Sequence, residues 1–285
     1  MNNIITYSLD KHRNMFAYPE DLRDYFYAEV NDHPYVEEPY RAESYAVGYL
    51  KKGSIKMRSG LVEKVVHAPS LITIGPSAIR SFSEDSKEMQ MDIIFFKSDF
   101  FLENQANVFF LIQFDFFENS DKHDFQLTAE SEETFKQIFK LIRTVLNISN
   151  KHERSILRSY LYILIYEIDA VKALITSDPA VNPLFEKFRN ALMKHFLRQR
   201  SVGFYADQLN VSRKYLSEVI KKHSGRTAGE WIDEAVILEA KVLLKNKSLT
   251  INQISDMLNF SSQSVFGKFF KTCTGSSPLD YRKNN

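Results

Sequence analysis

The stretch Thr250–Gly275, TINQISDMLNFSSQSVFGKFFKTCTG, decides how this chain is read. It spells two short helices joined by a tight turn. Thr250 is an N-cap with Gln253 three residues on, the pattern of a capping box. Ile251, Ile254, Ser255 and Leu258 follow at helical spacing. Asn259 interrupts them where a left-handed residue is needed, a conformation asparagine tolerates better than most. Phe260 is an apolar plug, and Ser261 or Ser262 caps a second helix. Its expected buried stripe is Val265, Phe266, Phe269, Phe270 and Cys273, which leaves Gln263, Ser264, Gly267, Lys268 and Lys271 facing outward. Gly275 closes it. A helix with one packed face and one face of small polar and basic groups is suited to enter a major groove.

The same pattern occurs a second time. In Val202–Gly225, VGFYADQLNVSRKYLSEVIKKHSG, the residues Val202, Tyr205, Ala206, Leu209 and Asn210 match Ile251, Ile254, Ser255, Leu258 and Asn259. After the turn, which is one residue longer in the second copy, Tyr215, Leu216, Val219, Ile220, Lys221 and Gly225 match Val265, Phe266, Phe269, Phe270, Lys271 and Gly275. The aromatic beyond each copy also recurs, Trp231 against Tyr281. Between the copies Thr227 and Glu230 form another capping box, and Trp231, Ile232, Ala235, Leu238, Val242 and Leu243 recur at helical spacing to about Lys245. Such a linker helix is about 28 Å long, slightly less than the 34–36 Å or so of one DNA turn.

These residues carry a resemblance. The linker helix ending EAKVLL (Glu239–Leu244), the second unit ISDMLNFSSQSVFGKFFK and the closing TGSSPLDYR (Thr274–Arg282) resemble the DNA-binding domain of the AraC/XylS family of bacterial transcription regulators. The resemblance covers about the last hundred residues. Asn259 stands where the family usually has glycine, and Val236 where it usually has an arginine in the linker helix. The resemblance implies a DNA-binding domain with two helix-turn-helix units, a sensor or dimerising domain before it, and contact with RNA polymerase beside the bound site.

Charge supports a split. From Asn182 onward there are 17 lysines and arginines against 9 acidic residues, a balance of +8. The preceding residues carry 20 against 27, a balance of −7, so the overall +1 hides an acidic body and a basic last third suited to a polyanion. At 285 residues and 44% hydrophobic content there is room for two cores, and 23 Phe and 14 Tyr make them aromatic-rich. The single Cys273 excludes a disulfide framework and fits a reducing cytoplasm. The polar start MNNIITYSLDKHRN is no signal peptide, and no apolar run reaches transmembrane length, so neither export nor a membrane partner is expected.

Before the basic third the signals are mostly of strands. Residues 1–20 read as a loose lead-in. Tyr45, Val47 and Tyr49 alternate, a turn falls at Gly53, and Ile55 and Met57 resume the alternation. Leu61–Val66, Pro69–Pro76, Met91–Phe96 and Val108–Phe117 read as further strands. Many short strands with turn signals indicate a sandwich or barrel. The stretch Pro39–Gly53 with APSLITIGP after it loosely resembles the cupin-like sensor barrel of AraC-like regulators. A metal cupin needs a close histidine pair with further ligands; Arg41–Glu43 holds no histidine, and His33 and His67 are isolated, so no metal, cofactor or catalytic residue is expected. Ligand-binding candidates are Tyr45, Tyr49, Arg58 and Arg80, with Tyr25, Tyr27 and Phe82 beside them. Ser131 opens a helix to about Leu146, and Glu153–Ile175 forms a second, apolar nearly all round, which serves the core or a dimer interface.

The expected fold is therefore α+β in two domains. A cupin-like β-barrel (1–130) with a helical, dimerising extension (131–176) leads through a linker (177–182) to an all-α domain (183–285). That domain holds helix-turn-helix motifs at 202–224 and 250–274, and Asn182 and Pro183 start its first helix. The expected DNA contacts are Ser212, Arg213, Lys214, Ser217 and Lys221 in the first unit, and Ser262, Gln263, Ser264, Gly267, Lys268 and Lys271 in the second. Arg213 and Lys214 suit base edges or phosphates, Gln263 suits adenine, and the later lysines suit phosphates. The partners expected are double-stranded promoter DNA, RNA polymerase, a small-molecule effector and a second copy of the chain. The function expected is a sequence-specific, effector-responsive activator. The alternatives are a ligand-independent regulator controlled by a protein partner, and a cupin enzyme with a DNA-binding tail.

Overall fold

The computed structural model describes residues 5–19, 21–31, 36, 38–59, 62–76, 78–86, 88–102, 110–117, 123–148, 151–175 and 182–284. Two compact units emerge: residues 1–100 with 114–179, and residues 101–113 with 180–285. The expected positions of His33 and of most of the 177–182 linker lie outside the described residues.

Among the described residues, the first unit holds ten strands in two sheets. One sheet has the order β1 (Ile5–Tyr7), β3 (Tyr40–Ala42), β8 (Arg80–Glu84), β5 (Ser54–Ser59), β6 (Val62–His67). The other has the order β10 (Asp124–Gln126), β7 (Ser70–Ile74), β4 (Tyr45–Lys52), β9 (Gln90–Phe96), β2 (Tyr25–Val30). The hairpin expected at Gly53 forms, with Gly53 at φ 74°. Both faces of the second sheet are buried, which is why β9 reads as a nearly continuous apolar run. Its inner face contributes Phe26, Ala46, Leu50, Ile72, Met91 and Phe95 to the core between the sheets. Its outer face is covered by α2 (Ala129–Asn147) and α3 (Glu153–Ile175). There Tyr49 packs on Phe139 and donates to Glu132 (2.9 Å), Tyr25 donates to Glu153 (2.7 Å), and Arg154 holds both oxygens of Asp24.

Two expectations for this unit are corrected. Residues 1–20 are not a loose lead-in: β1 is followed by α1 (Leu9–Met15), capped by Ser8. The helix buries a charge, Arg13, whose guanidinium donates to the Tyr25 carbonyl (2.9 Å) and to the carbonyls of Asp21 and Arg23. A helix buried through a positive charge leaves no apolar stripe to read. The strand expected at Val108–Phe117, whose described part lies partly in the second unit, does not form in that part either. Its described part, 110–117, forms turns and a short 3₁₀ helix, Asp115–Phe117. An apolar run buried on every side has no period with which to announce itself.

His123 is fully buried in this unit, its Nδ1 donating to the Phe116 carbonyl at 3.2 Å. Burial pushes its imidazole down from 6.5 to about 4. Between these values the unfolded chain binds the proton and the folded one does not, so stability falls as pH drops from 6.5 towards 4. The full loss is about 3 kcal/mol. Urea midpoints of the wild type and His123→Gln at pH 7 and pH 4.5 check this; the acid penalty of the variant should be smaller by a comparable amount.

The second unit is helical: α4 (Pro183–His195), α5 (Val202–Gln208), α6 (Arg213–Ser224), α7 (Ala228–Lys245), α8 (Ile251–Met257), α9 (Gln263–Thr274) and α10 (Pro278–Asn284). Every cap foreseen in the last third is present. Asn182 caps α4, Ser212 caps α6, and Thr227–Glu230 and Thr250–Gln253 close as capping boxes. Asn210 and Asn259 take φ 55° and 57°, and Gly225 and Gly275 end their helices at 71° and 79°. The linker helix α7 serves two cores. Trp231, Ile232, Ala235, Val236 and Leu238 pack with Phe185, Phe188, Tyr205, Leu216 and Ile220. Ile237, Ala240 and Leu244 pack with Ile254, Leu258, Phe266 and Phe270. Leu102 and Ile112 join the first of these cores.

Candidate nucleic-acid interface

The repeat extends to single hydrogen bonds. In the first copy Ser224 Oγ donates back to the Ile220 carbonyl (2.8 Å) before Gly225; in the second, Thr274 Oγ1 donates back to the Phe270 carbonyl (2.8 Å) before Gly275. The amide of Val211 donates to the Ala206 carbonyl (3.0 Å), and that of Phe260 to the Ser255 carbonyl (2.9 Å). Two helix pairs, α5–α6 and α8–α9, are thus built to one plan, and each presents its second helix.

The outward face of α6 carries Arg213, Lys214 and Lys221, all exposed, with Ser217 half-buried. Ser212 is already committed as the cap, its Oγ accepting from the Tyr215 amide (3.1 Å); its hydroxyl proton remains to donate. Lys214 and Glu218 face each other loosely at 4.0 Å. Arg213 folds back over α5. A methyl added to Gly203 would lie 2.6 Å from its Nε, so the glycine makes the groove in which the guanidinium rests. On α9, Ser262 is the cap, accepting from the Val265 amide (3.3 Å), and Gln263, Ser264, Lys268 and Lys271 are exposed. Gly267 faces open space, with nothing within 4 Å of where a Cβ would stand. All eleven expected contact residues therefore lie on the two capped helices.

The sequence misplaced three side chains in this unit. Val265 and Cys273 are exposed rather than part of the packed stripe, and Tyr215, the counterpart of Val265 in the first copy, is 53% exposed. Each of Tyr215 and Val265 precedes a fully buried residue, Leu216 or Phe266, and neighbours i and i+1 cannot share one face. Their true place puts an apolar group beside the polar ones, suited to thymine methyls. Val236 is fully buried, so it cannot reach a phosphate.

In the first unit, a cavity of about 40 Å³ lies between the two sheets, lined among others by Tyr40, Ala46, Gly48, Arg80, Phe82 and Met91. Arg80 is 3% exposed; its Nη1 donates to the carbonyls of Gly75 (3.2 Å) and Ala78 (3.1 Å), and the group lies 4.9 Å from the Tyr40 ring centroid. Burial lowers its pKa, and no carboxylate among the described residues pairs with it. Of the sequence candidates, Arg80 and Phe82 line this cavity. Tyr45 and Tyr49 point the other way, Tyr45 stacking on Phe96 and Tyr49 reaching α2, and Arg58 is exposed. His67 is exposed on β6, and no group of three or more metal-ligating side chains lies together among the described residues. No helix among them is long and apolar enough to cross a membrane.

Comparison with known proteins agrees with this geometry. A family model described as a helix-turn-helix domain matches residues 205–284. The Msm operon regulatory protein of Streptococcus mutans is 35% identical over 82 residues, 29% of this chain and 30% of that protein. A probable transcription factor of Proteus vulgaris, PqrA, is 32% identical over 90 residues, 30% of this chain and 74% of its own length. The transcriptional activator AggR of Escherichia coli is 29% identical over 162 residues, 54% of this chain and 56% of that protein. The chain thus spans less than a third of the first of these relatives and about half of the last.

Proposed function

Because the chain belongs to the AraC/XylS family of bacterial transcription regulators, we propose that it binds promoter DNA with α6 and α9 in successive major-groove segments. The observation that carries this reading is the duplicated helix pair, matched in its left-handed turns and in the serine cap and closing glycine of each second helix, whose two outward faces are polar and basic. Residues 183–285 act as the DNA-binding domain, 177–182 as a linker, 1–130 as a cupin-like sensor and 131–176 as a dimerising extension. Ile163 and Tyr166, exposed on α3, supply apolar surface for a second copy. The role of activator, and contact with RNA polymerase, follow the relatives named as activators. An effector would enter at Arg80, a buried cation that offers charge to an anionic group.

A mobility-shift titration of the full chain on its own upstream DNA, with random competitor, tests the reading. Preferential retardation supports it, and an absence of any binding at low salt overturns it. On the same fragment Arg213→Ala should weaken operator binding about 10-fold to 100-fold and random-DNA binding far less, because a bidentate base contact discriminates by about 1–3 kcal/mol. Equal loss on both DNAs would reject base readout by Arg213.

A second reading is favoured by the size of the cavity. Its 40 Å³ or so holds little more than water as it stands. On this reading the barrel takes no ligand and a protein partner controls it. DNA binding and melting temperature unchanged across a metabolite library would support that version.

A further inference from the structure

Arg200 lies in the loop between α4 and α5, one residue before the Ser201 cap of the first helix pair. Its side chain reaches the second pair. Nη2 donates to the Leu258 carbonyl, at the end of α8 where the backbone turns through Asn259. The guanidinium carbon lies over the Phe260 ring, 3.6 Å from its centroid. Phe260 in turn touches Phe266 and Phe269 of α9, at 5.2 Å each. Asp233 of α7 supplies the opposing charge. Around this contact the two cores meet, since Leu197, Phe260 and Phe269 pack against both.

The contact has no counterpart in the first copy, where Val211 follows Asn210 and offers no aromatic face. It therefore serves the relation between the pairs. A carbonyl at a helix end lacks an intrahelical donor, and an arginine that satisfies it while stacking on the adjacent ring fixes both distance and orientation.

We propose that Arg200 is a positioning residue that sets the spacing of the two DNA segments read by α6 and α9. This rests on the DNA-binding reading above. Each reading helix keeps its own cap and core without Arg200; what is lost is their mutual registry. One added base pair moves the second segment by about 3.4 Å and turns it by about 34°, which the intact contact does not accommodate.

The test is selection from a random double-stranded DNA library with the full chain, its Arg200→Ala variant and Phe260→Leu, which keeps an apolar plug but removes the stacking face. The wild type should enrich two sequence elements at one separation, and a one-base-pair insertion should cost it about tenfold or more in affinity. Both variants should enrich the same elements at two or more separations, with the insertion costing less than about threefold. Variants that keep the single separation while binding more weakly overturn the proposal, because a merely structural loss lowers affinity without widening spacing. Far-ultraviolet circular dichroism confirms that the variants selected are folded. If the wild type enriches no sequence at all, it is the DNA-binding reading that fails.

Discussion

Replacing Trp231 with alanine should destabilise the C-terminal unit by about 3–5 kcal/mol, against a typical total of about 5–15 kcal/mol. Trp231 is 1% exposed and packs edge-on against Phe185, ring centroids 5.5 Å apart. Its Nε1 donates to Ser224 Oγ (2.9 Å), the hydroxyl that also closes the end of α6. Removal therefore opens a cavity and strips a partner from the closing residue of a reading helix. Urea denaturation followed by circular dichroism reads the loss. Trp231→Phe should recover part of it, since the ring volume returns but the donor does not. Trp231 is the only tryptophan, so its fluorescence in the wild type reports on this unit alone.

Raising salt from 50 to 200 mM should lower DNA affinity about 150-fold. Lys214, Lys221, Lys268 and Lys271 are all exposed on α6 and α9. About four phosphates neutralised give a slope of about −3.6 in log affinity against log salt. Replacing Lys221, Lys268 and Lys271 by alanine should reduce that slope by about one for each lysine that meets a phosphate. An unchanged slope in the triple variant would place the phosphate contacts elsewhere.

The last third was legible in the sequence because its signals agree. The helices of the two repeated units carry caps and a helical spacing of apolar residues, the second helix of each ends at a glycine, and the repeat gives these positions a second witness; only the short α10 carries no such reading. Legibility fails at Val265 and Cys273, and at Tyr215 through its match to Val265, because an apolar side chain at helical spacing is not always buried. In the first unit the strands of the central hairpin could be read but not their facing. Alternation in β4 is apolar on both sides, so the large Tyr45 and Tyr49 drew attention as pocket residues while the small Ala46 and Gly48 line the cavity. The better signal was Gly48 itself, since a glycine inside a strand marks close approach; a Cβ there would lie 3.0 Å from Met91 Sδ. Arg80 stands out as a charge inside a strand-rich stretch, whereas Arg13, and His12 beside it on α1, which also lines the cavity, lie in a segment without pattern.

Residues 101–113 belong to the C-terminal unit although residues of the other unit flank them on both sides. Arg189 donates to the Gln113 carbonyl (2.7 Å), Lys245 donates to the Leu102 carbonyl (2.6 Å), and Leu102 and Ile112 are buried in the core around Trp231. This sets an order of assembly during synthesis. The ribosome releases this piece long before α4 exists, so its apolar side chains wait while some seventy residues are added, and then close a long loop. Long-range closures of this kind slow folding. A fragment begun at residue 180 would be spared the wait but would emerge with a bare apolar patch where Leu102 and Ile112 belong, and with a tendency to aggregate through it.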